Sequence, residues 1–326
     1  WLGTANNNWA NPANWNCPII PDSTMDVEVP ASSLFMPFIF GHQQVNNLHI
    51  QSGTFVNITD SLSSLTIHGQ ITGGGRINHT SGTLVLDGSQ PQTLPGGNYH
   101  RLRINNPSGI TLSGDISIRD TLFMQDGVLA LNGFQLTLHA HTGAVSGFNA
   151  SRYLQLGAGS SVRMVGLGSG AQTGNVWIPI GSSTYNPVRF QYAGVQDTFT
   201  FRLIDAVHAS YSGFTPIGLP FTTGAVQRTW FIHASNITSA NAQVELFWNA
   251  GNELGGFNRS NAYMAQHNGS TWIPATASGL ATGNNPYSIV RSGLTTFNTP
   301  FGIGSGTTLP VSLLRFDAKL QQPRYV

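Results

Sequence analysis

Along this chain, apolar side chains recur at every second position in short runs. Leu48-His49-Ile50, Leu65-Thr66-Ile67, Leu84-Val85-Leu86 and Leu136-Thr137-Leu138 are examples. Alternation with period two places one set of side chains on each face of an extended strand. No stretch carries apolar residues at i, i+3, i+4 and i+7 between capping residues, so no helix is predicted. Gly, Asn, Ser and Pro separate the runs and supply turn conformations. The pattern predicts an all-β chain.

The texture of the runs changes along the sequence. Residues 1–44 form an opening segment in which Trp1, Trp9 and Trp15 stand among asparagines, and Val27 and Val29 mark one strand. Residues 45–165 are repetitive, and a second pass beginning at Leu102-Arg103-Ile104 restarts 54 residues after Leu48. Units this short cannot bury an apolar face alone, so neighbours must stack. The prediction is a parallel β-helix-like solenoid, most economically right-handed, with an antiparallel sandwich as the competing arrangement. Residues 170–306 carry longer, aromatic-rich strands such as Val188-Arg189-Phe190-Gln191-Tyr192, and an antiparallel β-sandwich is predicted. In residues 309–326, Leu314, Phe316, Ala318 and Leu320 alternate with Arg315, Asp317 and Lys319 as a C-terminal amphipathic strand.

Composition narrows the function classes. Only 8% of the 326 residues are charged, against about 25% in an average domain. The surface must therefore consist of Asn, Ser, Thr, Gln and Gly. The net charge is +1 and no Lys/Arg cluster occurs, so nucleic acid is not an expected partner. A near-zero net charge weakens the barrier to self-association. No apolar run reaches 18 residues, so no membrane insertion is expected. No signal peptide is visible, and the abrupt start at Trp1 fits a mature or trimmed product. The lone Cys17 cannot form an intrachain disulfide and is expected to be a small buried hydrophobe.

Catalytic signals are weak. Gly73-Gly74-Gly75 and the glycines from Gly166 to Gly170 lack the Lys-Ser/Thr of a phosphate loop and suit turns. No Gly-x-Ser-x-Gly elbow is present. His139 and His141 share a strand face, but no third ligand lies nearby, so surface histidines are expected and no metal or cofactor. Trp9 and Trp15 allow two roles. They can stack on sugar rings, or they can cap the solenoid's open end, which covers apolar area efficiently. The cap is the preferred role. Trp177, Trp230, Trp248 and Trp272 are expected in the sandwich core or rim.

Several segments resemble the surface proteins exported by the type IX secretion system of Bacteroidetes. The opening pattern of Trp1-Leu2-Gly3, Trp9, Asn14-Trp15, Pro21 and Val27-Glu28-Val29-Pro30 is similar to the start of many of them. Trp177-Ile178-Pro179-Ile180-Gly181 and Arg228-Thr229-Trp230 look like their β-sandwich. Phe301-Gly302-Ile303-Gly304 followed by Leu309-Pro310-Val311-Ser312-Leu313-Leu314-Arg315-Phe316 is similar to the junction before their sorting domain. That domain itself does not follow, which implies that it is removed on export or that the tail serves another purpose. The resemblance implies an extracellular, cell-surface adhesin, gliding-associated protein or matrix component. It also implies glycan attachment at Asp-Ser/Thr motifs, here Ser23, Ser61 and Thr121.

These readings converge on an extracellular structural or adhesive protein and not an enzyme. In one form it self-associates into a filament, with Leu314, Phe316, Ala318 and Leu320 donated to an acceptor sheet edge. The alternative is a monomeric module that binds surface polysaccharide. A polysaccharide-degrading enzyme is the third reading.

Overall fold

Strands on one side of the molecule begin at residues 42, 64, 83, 101, 122 and 145, and each pairs in parallel with the next. They are successive rungs of a parallel β-solenoid with three faces. The computed structural model describes residues 1–139, 143–168, 176–236, 241–275 and 280–306. Face A is the uninterrupted six-stranded sheet just described, from His42–Val45 to Val145–Ser146. Face B holds Val27–Val29, Leu48–Ile50 and Ile71–Thr72, then Gln92–Leu94, Ile110–Leu112, Leu129–Ala130, Leu154–Gln155 and Ile180–Gly181. Face C holds Phe55–Ile58 and Arg76–His79, then Gly97–Tyr99, Ile116–Ile118, Gln135–His139 and Ser161–Leu167.

Register explains why the alternation folds this way. Leu65, Leu84, Leu102 and Leu122 are partners in turn on face A, and all are fully buried. Each coil thus adds like onto like, and each buried leucine contributes about 1.5–3 kcal/mol. The structural repeat is one coil. Leu48 lies on face B between Val27 and Ile71, whereas Leu102 lies on face A, so the 54-residue repeat expected from the sequence does not relate equivalent positions. Period-two alternation is the same on all three faces and cannot distinguish them. Corners need tight backbone: Gly127 has φ 76°, and a Cβ there would collide with the Asn106 carbonyl.

The opening segment builds the solenoid's first end. Val27–Val29 is already a rung of face B, and Phe38 bridges in parallel to Asn57, with Asn8 layered on Phe38 in turn. Trp1, Trp9 and Trp15 close the core, with ring centroids 4.8–6.1 Å apart. The buried Asn14 ties their loop together: its Oδ1 accepts from Ala5 N and Asn6 N, and its Nδ2 donates to Asn6 Oδ1 and Asn8 O.

At the other end the solenoid passes into antiparallel sheets without a break. The face C strand Ser161–Leu167 pairs antiparallel with Asp197–Ile204, and the same sheet continues through Thr229–Ala234, Thr299–Ser305, Ala262–His267 and Trp272–Pro274. A second sheet comprises Val176–Ile178, Val188–Tyr192, Ala242–Trp248, Tyr287–Leu294 and Thr282–Gly283. Phe190 of the second sheet packs against Phe199 and Phe201 of the first at 4.7 and 5.5 Å. Trp230 and Trp248 are fully buried, Trp272 nearly so, and Trp177 is half-buried. Val176–Ile178 belongs to this second sheet, yet Ile180–Gly181 returns to face B of the solenoid. The two parts therefore interlock, and one contiguous core runs from Trp1 to Ile303. The proposed terminal strand, with Leu314, Phe316, Ala318 and Leu320, lies outside the described residues.

Candidate functional site

Faces B and C are both interrupted between the second and third coils, where no ladder joins Ile71–Thr72 to Gln92–Leu94 or Arg76–His79 to Gly97–Tyr99. On face B the gap is filled. The buried Gln92 donates through Nε2 to the carbonyls of Ile67 and Gly69, and its Oε1 accepts from Gly88 N and Asn106 Nδ2. On face C the gap remains open as a cleft of about 560 Å³.

The cleft takes its character from the rungs on either side. Ile50, Ile71 and Ile77 give it an apolar wall. Asn57, Asn78 and Asn98 present amides, and Asn78 Nδ2 donates to Asn57 Oδ1 at 3.2 Å. Arg76 and Arg119 are exposed on its rim. Arg76 is held by Nε donating to Asn78 Oδ1 at 3.0 Å, with its guanidinium over the Phe55 ring at 5.5 Å. Among the described residues no carboxylate lines the cleft.

At the inner end stand His79 and Tyr99, with ring centroids 6.2 Å apart. His79 is a register partner of Ile58 and so occupies a core position. Neither of its ring nitrogens has a well-aligned hydrogen-bond partner, although the backbone of Gly82 and Ser81 lies close to the ring. Burial holds its pKa down to about 4, the nearby His100 and Arg101 press the same way, and the backbone of Gly82 and Ser81 pulls back. It is neutral at pH 7. Burial also raises the Tyr99 phenol, whose hydroxyl donates to Pro95 O at 2.7 Å.

Two other polar clusters are paired internally. Arg228, buried where solenoid and sandwich meet, donates to Asn186 Oδ1, Gln227 O, Ser183 Oγ and Thr184 Oγ1 and pairs with Asp205 at 3.4 Å. Burial lowers its pKa, and Asp205 opposes that. This network clamps a turn to the strand beginning at Thr229. On the outside of face A, Arg101 pairs with Asp120 at 3.1 Å, and Arg103 lies over Phe123 at 5.6 Å.

The residues singled out from sequence fall elsewhere. Trp9 is fully buried and Trp15 is 6% exposed, so neither offers a ring face on which a sugar can stack. Cys17 is exposed, contrary to expectation, because its loop wraps outside the tryptophan lid. It lines a second cavity of about 580 Å³ with Trp1, Trp15, Leu2, Ile19 and Met25. Ser61 is exposed, and Ser23 and Thr121 are half-exposed, with Thr121 Oγ1 donating to Asp120 Oδ1. His139 is exposed in register with Val165, and His141 lies outside the described residues. Among the described residues no group of three or more His, Cys, Asp or Glu is placed to hold a metal, and no helix is long and apolar enough to cross a membrane.

Sequence reasoning missed the cleft. The available signals were the glycines Gly73-Gly74-Gly75 directly before Arg76 and Pro95-Gly96-Gly97 before Asn98. Both flank strands that fail to pair, but each alone reads as a turn.

The architecture defines an all-β solenoid protein whose end grows into a sandwich. No family model, curated protein or solved structure matches the chain.

Proposed function

We propose that this chain is an extracellular structural or adhesive surface protein. The observation that carries the reading is the antiparallel pairing of Ser161–Leu167 with Asp197–Ile204, which joins face C of the solenoid and one sheet of the sandwich in a continuous nine-stranded sheet over a shared core. A body without a hinge at its junction transmits load and holds a binding surface at a set distance. The sparse charge and the resemblance of the opening and closing motifs to type IX-exported surface proteins support the same reading. Assembly through the strand Leu314, Phe316, Ala318 and Leu320 is its filament form, with a second copy as partner. Negative-stain microscopy of the native material tests it. Filaments are expected from the full chain and isolated particles from a variant ending at Thr308. Equal assembly by both removes the terminal strand from the proposal.

A second reading is a carbohydrate-binding module acting as a monomer. The cleft on face C favours it, since a site of several hundred Å³ with an apolar wall and a few convergent polar groups is the usual form of a small-ligand site. A glycan array on the purified chain tests that reading.

A further inference from the structure

We infer that the cleft between the second and third coils of face C binds a carboxylate-bearing sugar, of the uronic- or sialic-acid class, at the end of a glycan. The inference rests on the carbohydrate-binding reading and names its ligand.

Charge is the first argument. The chain carries 14 Lys and Arg against 13 Asp and Glu, so cations and anions are nearly balanced overall. Arg76 and Arg119 both line this cleft, and no carboxylate is among its described lining residues. Among the described residues neither forms an ion pair, a condition shared with Arg103, Arg163, Arg202 and Arg291, so the distinguishing feature is that both line one cleft whose described lining holds no carboxylate. Two unneutralised guanidinium groups at one opening favour an anion, and their planar donors match a carboxylate. Arg76 is already held by Asn78 and Phe55, so little freedom is lost on binding.

Shape and polarity give the rest. A sugar ring is apolar on its faces and rich in hydroxyls at its edge. The cleft offers the half-buried Ile71 and Ile77 to the former, and the exposed amide of Asn98 with the remaining hydrogen-bonding capacity of Asn78 to the latter. The edges of Arg76–His79 and Gly97–Tyr99 face each other without ladder bonds, and such strand edges add main-chain donors and acceptors. A volume of about 560 Å³ accommodates one or two rings. Gln92 plugs the equivalent gap on face B, so an open gap is not required by the coil geometry.

Titration calorimetry of the full chain with glucuronic acid and N-acetylneuraminic acid, against glucose, tests the assignment. An acidic sugar is expected to bind at least tenfold more tightly than glucose. Arg76→Gln and Arg119→Gln are each expected to weaken it about tenfold, and both side chains are exposed, so folding is not at stake. Asn98→Asp, which places a carboxylate in the cleft and leaves both arginines intact, is expected to abolish binding. Arg163→Gln, on a later rung of face C, is expected to change nothing. Equal binding of glucose, unaltered binding by the arginine variants, or equal binding of inorganic phosphate or an acidic peptide overturns the assignment. A glycan array that finds only neutral glycans leaves the carbohydrate reading standing without this ligand, and an empty array removes both. Microscopy of the arginine variants reads assembly separately and is expected to match the unaltered chain.

Discussion

Val162 and Phe201 are direct register partners, both fully buried, at the point where the parallel solenoid becomes an antiparallel sheet. Met164 and Phe199 repeat the relationship two residues along. The core has no seam here, so the two parts should not melt independently. Phe201→Ala is expected to cost about 3–5 kcal/mol. It should shift the whole denaturation curve, with tryptophan fluorescence and far-ultraviolet dichroism moving together. Separate transitions for the two probes would show that the shared sheet does not couple the parts.

The neutral, buried His79 makes a second expectation. Its pKa in the folded protein is about 4, below its ordinary value of 6.5, so the unfolded chain takes up the proton first as pH falls. Its contribution is therefore fully present above pH 6.5 and lost between there and about pH 4. The loss amounts to about 3 kcal/mol. His79→Leu, which suits a core position beside Ile58, should flatten the dependence and gain more at pH 5 than at pH 8. Urea titrations at both values measure it.

Arg228 predicts the cost of breaking the junction clamp. Arg228→Met removes the guanidinium donors to Asn186, Ser183 and Thr184, each of which keeps another hydrogen bond, and the cation facing Asp205, at about 2–3 kcal/mol. Arg228→Lys should recover little, because one ammonium cannot replace the fork of guanidinium donors. Asp205 is half-exposed, so Asp205→Asn should cost no more than about 1 kcal/mol. Thermal melts of the three variants give the ordering.

Trp9 is expected to behave as a lid and not as a ligand contact. Trp9→Ala should lower stability by about 3–5 kcal/mol by opening the end of the core. Trp9→Phe should cost much less, since the indole N–H has no partner to lose. Acidic-sugar binding, measured well below the melting temperature, should be unchanged in both.

The sequence by itself determined the strand content, the period-two alternation and the passage from short stacked units to longer aromatic strands. Those properties are local: backbone geometry makes alternate residues share a face, and turn residues mark where a strand stops. Tertiary structure decided which rungs stack. Leu48 and Leu102 have equivalent neighbours in sequence yet lie on different faces, because coil length and not alternation sets the register. It also decided that Trp9 is interior while Cys17 is exposed, a difference set by how the opening loop wraps over the first rung. The cleft was the least legible feature. It arises where two rungs fail to pair and bring Arg76 and Arg119 to one opening, and a missing hydrogen-bond ladder between residues far apart in the chain leaves no local pattern to read.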